Sequence, residues 1–245
     1  MSIHPPGKSE FDQIRRGEAE YARQLRKVAR TVGHLAGGVS PVDEDVDVSH
    51  LTQALTKYAD LITPWARAVA WRMIESTAKR ERRAWNEHSR EMSRGLRREL
   101  LSAPTGEAQR KLMAEQVKLI RSIPLDAAQR VHELVHEAKL SGMRADTLVG
   151  KIQELGKVTR SRAELIATTE VSRMSSTLIQ ARSEWVGSKE YIWRTCRDGV
   201  VRPSHRAMEG VTVKWDKPPT LDNLTGHAGC LPRCRCYPEP ILPGE

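Results

Sequence analysis

Aromatic residues are scarce in this chain, 4% of 245 positions, with a single phenylalanine. That scarcity argues against a base-stacking platform for single-stranded nucleic acid, which needs exposed rings as well as positive charge. Cysteine is scarce too. Its four residues are too few for a disulfide scaffold, and three of them lie between Cys230 and Cys236, so they serve a local purpose. No apolar run approaches the roughly 20 residues that cross a bilayer, and the opening M-S-I-H-P-P-G-K-S-E lacks the apolar stretch of a signal peptide. These absences lead us to expect a protein made and used in a reducing cytoplasm, or packed into a particle assembled there, with no membrane span.

What is present is charge and helical periodicity. Hydrophobic residues make up 39% of the chain, enough for a real core, and a formal net charge of +9 implies attraction to polyanions or acidic protein surfaces. From Phe11, apolar residues recur at Ile14, Tyr21, Leu25, Val28, Val32 and Leu35, a three-four spacing interrupted by Glu18. The stripe predicts a helix that either packs on its own domain or docks on a partner as a coiled-coil-like arm. Gly37-Gly38 ends it, and the acidic V-S-P-V-D-E-D-V-D-V reads as a linker. A second helix begins near Ser49 with Leu51, Leu55, Tyr58 and Ile62 on one face. Thr63-Pro64 then marks a restart, with the threonine as N-cap, and the next helix is expected to reach about Leu101. Further helices are expected from Glu107 to Ser122, Pro124 to Ser141 and Asp146 to Leu155, and again after Thr159.

Two features of this helical region invite functional readings. Lys79, Arg80, Arg82, Arg83, Arg90, Arg94, Arg97 and Arg98 could track phosphates, but Glu75, Glu81, Glu87, Glu91 and Glu99 interleave with them. Pairs such as Glu75 with Lys79 and Glu91 with Arg94 sit at helix-pairing distance, which favours a solvated, self-paired face over a nucleic-acid contact. H-E-L-V-H, from His132 to His136, fits the zinc-protease pattern in which two histidines bind the metal and Glu133 acts as general base. The glycine turn and third histidine of the extended pattern do not follow, which favours two exposed histidines on an amphipathic helix.

Near residue 190 the pattern becomes extended. Y-I-W-R-T predicts a strand with Tyr191, Trp193 and Thr195 facing one way. Asp198-Gly199 turns the chain, Pro203 starts a short helix holding His205, Glu209-Gly210 turns it again, and V-T-V-K-W makes a second strand. The expected fold class is mainly α, an elongated helical body with a small α+β carboxy-terminal unit. The expected divisions are a helical arm over 1–38, an acidic linker over 39–48, a helical body over 49–158 and the α+β unit over 159–245.

In that last unit the residues resemble minor head proteins of the phage Mu F type. The resemblance rests on I-A-T-T-E-V-S-R in a helix, then W-R-T-C-R-D-G-V-V-R-P-S-H-R-A-M-E-G, then P-R-C-R-C, which together order Thr169, Glu170, Trp193, Asp198, Arg202, His205, Gly210, Cys234, Arg235 and Cys236. It covers roughly the last third of the chain. It implies a virion component near the portal, acting in head assembly and in genome packaging or delivery. The implied partners are the portal and other head proteins, with packaged DNA as a further one, and the implied location is the virion, with host cytoplasm during assembly.

Asp198, Arg202 and His205 also suit a nuclease, with a histidine base and an arginine on phosphate. The structural alternative is an Asp-Arg pair and a buried histidine tied to the preceding helix through Glu170, and it is favoured because no second proton-transfer group accompanies His205. The expected role is therefore structural rather than enzymatic, with a nuclease or zinc hydrolase as the alternative. Cys230, Cys234 and Cys236 form C-x3-C-x-C, unlike the paired C-x2-C knuckles of zinc ribbons. Cys196 could add a fourth ligand, with His205 or His227 as substitutes. Thiols packed as small apolar groups, with Arg235 on the opposite face, are favoured over a structural zinc.

Overall fold

The change from a three-four to a two-residue apolar period marks where helices give way to strands. The computed structural model describes residues 8–40 and 48–243, except for the side chains of residues 8–13, 88, 91 and 100. Helices α1 (Lys8–Gly37), α2 (Ser49–Leu61), α3 (Thr63–His88), α4 (Arg94–Ser102), α5 (Gly106–Ser141), α6 (Ala145–Gln153) and α7 (Leu155–Trp185) precede strand β1 (Glu190–Arg194). The short helix α8 (Pro203–Arg206) and strands β2 (Thr212–Lys214), β3 (Thr220–Leu221), β4 (Leu224–Thr225) and β5 (Tyr237–Ile241) follow. The fold is mainly α with a small α+β carboxy-terminal part. Most of the expected linker, residues 41–47, and the side chains of Phe11, Glu91 and Leu100 lie outside the described residues.

Several helix boundaries differ from the sequence reading for local reasons. The helix expected to reach Leu101 stops at His88 and restarts at Arg94, after a 3-10 turn over Ser89–Glu91. Ser93 makes that restart possible, its Oγ accepting the Leu96 N–H at 3.3 Å as an N-cap. Thr63 is not a cap, since its hydroxyl donates back to the Ala59 carbonyl at 3.4 Å. Pro124 does not divide α5, although it lacks an N–H. Burial of Ile120, Ile123, Ala127, Ala128 and Val131 around it holds the helix together across the missing bond. The gap expected between Leu155 and Thr159 is not there: Gly156 stands in the first turn of α7, where a side chain would meet the Gly33 Cα at 3.0 Å.

The chain groups into two compact units that are not consecutive in sequence. One gathers Glu20–Ala70 and Ala114–Ala167, and the other the described parts of Met1–Ala19, Trp71–Met113 and Thr168–Glu245. In the first unit Val32, Leu51, Leu55, Val131, Leu134 and Ile152 share one core, so four helices each commit an apolar stripe to it. The stripe of α1 is thereby spent within the chain: Tyr21, Leu25, Val28 and Val32 are all buried. The second unit contains the sheet.

Its three strands run in the order β2-β1-β5, antiparallel, with Tyr191 opposite Val213 on one side and Pro240 on the other. Tyr191 and Trp193 are fully buried and pack with Val213, Trp215, Leu231, Cys234 and Cys236. Strand β5, Y-P-E-P-I, escapes the sequence reading because prolines at 238 and 240 argue against a strand. As an edge strand it tolerates them, since at alternate positions the N–H would face away from its one neighbouring strand and is not needed by the ladder.

Candidate functional site

The residues that carry the family resemblance are bonded to one another, and the tail P-R-C-R-C is where they meet. Thr169 in α7 accepts the Arg233 N–H on its Oγ1 at 3.1 Å. Arg202, which caps α8, donates to the Pro232 carbonyl at 3.0 Å. Arg235 grips Asp198 through two nitrogens, at 2.7 and 3.1 Å, a bidentate pair of the strong kind. Asp198 also accepts the Val200 N–H at 3.1 Å, which closes its turn, and takes Arg15 of α1 at 3.1 Å. Apart from the Val200 bond, each contact joins segments distant in sequence.

The expected Asp198–Arg202 pair does not form. Arg202 faces Asp222, at 3.9 Å, and the tail, while Arg235 takes Asp198. The expected tie from His205 to Glu170 is likewise replaced. Glu170 is buried and holds Arg173 one turn away, whereas His205 Nδ1 lies 3.4 Å from Cys234 Sγ and 3.6 Å from Cys236 Sγ. The short helix α8 delivers the imidazole, with Pro203 at its first position as the sequence predicts. The extended run into β5 delivers both sulfurs to one face and Arg235 to the other.

His205 is 2% exposed, and the Trp193 ring meets it edge-on with centroids 5.6 Å apart. Its Nε2 is buried and has no hydrogen-bond partner among the described residues. The Gly229 N–H donates to Cys234 Sγ at 3.3 Å. Gly229 has φ +82°, and a side chain there would strike Ser176 Oγ and the Cys236 carbonyl, so only glycine lets the backbone approach that sulfur. Hydrogen bonding between the two sulfurs holds the Cys234 thiol far below the ordinary range, to about 4, and raises that of Cys236.

The other metal candidates are not among the three ligand atoms that lie within 4.8 Å of one another. Cys196 is half-buried in a small cavity that Cys236 also lines, and burial raises its thiol. Burial pushes the Cys230 thiol up to about 12. His227 accepts or donates a bond to the Tyr191 hydroxyl at 3.2 Å and packs between Tyr191 and Trp215, and burial lowers its basicity. His132 and His136 are exposed on α5. Glu133, the base a zinc protease would need, is held below the usual carboxylate range by bonds from Arg130 and Gln129. Among the described residues, the group able to hold a metal is His205, Cys234 and Cys236.

Sequence reasoning missed two carboxylates. Glu209 accepts the Thr195 N–H and hydroxyl, each at 2.7 Å, and pairs with Arg197 at 3.0 Å, so it fastens the end of β1 to the turn at Gly210, which has φ +82°. Glu239, buried in β5, bonds Arg194 across the ladder. The register places Glu239 opposite Ile192, on the sheet face that Arg194 also occupies, but Y-P-E-P-I carries no signal for that pairing before the strand is known.

A helical protein ended by a sheet whose motif residues lock one another in place is thus the class that fold and site define. Residues 129–238, a little under half of the chain, match the family model described as Phage Mu protein F like protein, and over that stretch the chain is similar to that family. The match runs from within α5 to β5, further upstream than the motifs alone reach. An uncharacterized protein of Haemophilus influenzae is 35% identical over 131 residues, which make up 54% of this chain and 29% of that protein. The chain thus spans under a third of that relative's length. No solved structure matches.

Proposed function

We propose that the protein is a non-enzymatic minor head protein of a tailed phage, portal-associated and acting in head assembly and in genome packaging or delivery. The observation that carries this reading is the family match together with what its motif residues do: Asp198 with Arg235, His205 with Cys234 and Thr169 with Arg233 bond to one another. A nuclease would need His205 at a phosphodiester bond, and a side chain 2% exposed beneath Trp193 does not reach one. The net charge of +9 suits contact with DNA or with an acidic protein surface.

The test is to tag the protein in a producing lysogen and follow it through gradient-purified heads. Co-sedimentation with mature heads, and their loss of infectivity or DNA content when the gene is deleted, is expected. Full recovery of the protein in the soluble fraction, with heads of normal DNA content in the deletion strain, would refute the proposal.

A further inference from the structure

We propose that His205, Cys234 and Cys236 bind one zinc ion, which pins α8 to the segment entering β5, with Cys196 as the fourth ligand. This goes beyond a head-assembly role and does not depend on it. In a tetrahedral zinc site with Zn–S of about 2.3 Å and Zn–N of about 2.0–2.1 Å, neighbouring sulfur and nitrogen ligands stand about 3.6 Å apart. The two Nδ1–Sγ separations are 3.4 and 3.6 Å, and all three ligand atoms lie within 4.8 Å of one another. Both nitrogen–sulfur separations thus already match the edges of a tetrahedral shell.

The surroundings suit thiolate ligands. All three side chains are buried, and a backbone N–H points at Cys234 Sγ, the kind of contact that orients and tunes a metal-bound sulfur. With Nδ1 on the metal, the imidazole proton sits on Nε2. With Cys196 in place, three thiolates and a neutral imidazole surround a divalent ion and leave one net negative charge, which the Gly229 N–H at Cys234 Sγ partly offsets. Soft sulfur donors select zinc over magnesium or calcium. Cys196 lines the same small cavity as Cys236, and on that ground it is assigned the fourth position. Cys230 does not line that cavity, so it is left out of the ligand set.

The fold supplies a reason for a metal here. Between β1 and β5 regular structure is limited to a four-residue helix and strands of two or three residues. Segments this short bury little on their own, and an ion that joins two of them replaces core the stretch lacks.

The experiment is elemental analysis of the full-length protein purified from zinc-supplemented cells, followed by cobalt(II) exchange. About one zinc per chain is expected, and cobalt should give an intense thiolate charge-transfer absorption. Cys234→Ser, Cys236→Ser and His205→Ala should lower zinc content at least tenfold. Cys196→Ser should keep zinc but release it faster to a chelator, and Cys230→Ser should behave as wild type. The cobalt spectrum of the unaltered chain reports thiolate ligation even where a variant fails to fold. Wild-type protein without zinc and without the thiolate band overturns the site. Loss of zinc in Cys230→Ser, or unchanged release in Cys196→Ser, overturns the ligand set.

Discussion

Glu18 sits 8% exposed on the otherwise apolar stripe of α1, accepting the Ser172 hydroxyl at 3.1 Å. Burial raises its carboxyl above the usual range, and the Ser172 bond and the charges of Arg235 and Arg15 only partly counter it. The folded state therefore favours the protonated form. Stability is lost as pH rises through the raised value and is recovered in acid. Glu18→Gln keeps an acceptor for Ser172 and removes the charge, so its melting temperature at pH 7 should exceed that of wild type. That advantage should vanish below the unfolded carboxylate range.

Glu209 behaves in the opposite sense. Its burial would raise the carboxyl, but bonds from Thr195 and Arg197 outweigh it and hold it low. The stability it contributes is present above the unfolded value and lost as pH falls through the depressed one. Glu209→Gln should cost about 1–3 kcal/mol at pH 7 in denaturant titrations, a gap that closes in acid. Such contacts were only partly legible beforehand. The residues Asp198, Arg202, His205 and Arg235 could be picked out from their order in the motif, but not their pairing, because an arginine 37 residues from Asp198 competes with one four residues away only once the tail has folded back.

At the scale of elements, the long helices were legible because their three-four apolar spacing coincides with the buried faces, as in Leu51, Leu55 and Val131. Prolines and glycines were misread where packing overrode local preference: Pro124 inside α5, Pro238 and Pro240 in β5, and Gly156 against Gly33. Gly156→Val would press two methyl groups into the Gly33 backbone and should lower stability by about 1–3 kcal/mol. The measurement is a urea midpoint, with Gly150→Ala, where nothing lies within 4 Å of the added carbon, as control. Because the α1 stripe is buried within the chain, deleting residues 1–38 should expose the core that Val32 and Ala36 complete. The truncated protein should aggregate or bind a hydrophobic dye rather than remain folded and merely fail to dock. A soluble, sharply melting truncation would restore the reading of α1 as a detachable arm.

For the whole molecule, composition set the class and the chain's order of periodicities set the fold, but neither revealed that the compact units are assembled from non-consecutive segments. That grouping depends on which faces of α1, α3, α5 and α7 meet, which spacing along one helix does not specify. No described helix is long and apolar enough to cross a membrane. The likeness to the Mu F type was legible only through the motif order near the carboxy terminus, and the match over residues 129–238 agrees with it. The measurement that tests the head-protein reading most directly is a cryo-EM map of the intact particle, with the chain traced through α7 and the sheet. Density for these elements at the portal vertex is the predicted result. A complete map of portal, capsid and head interior with no such density, from particles lacking the protein by mass spectrometry, would contradict it.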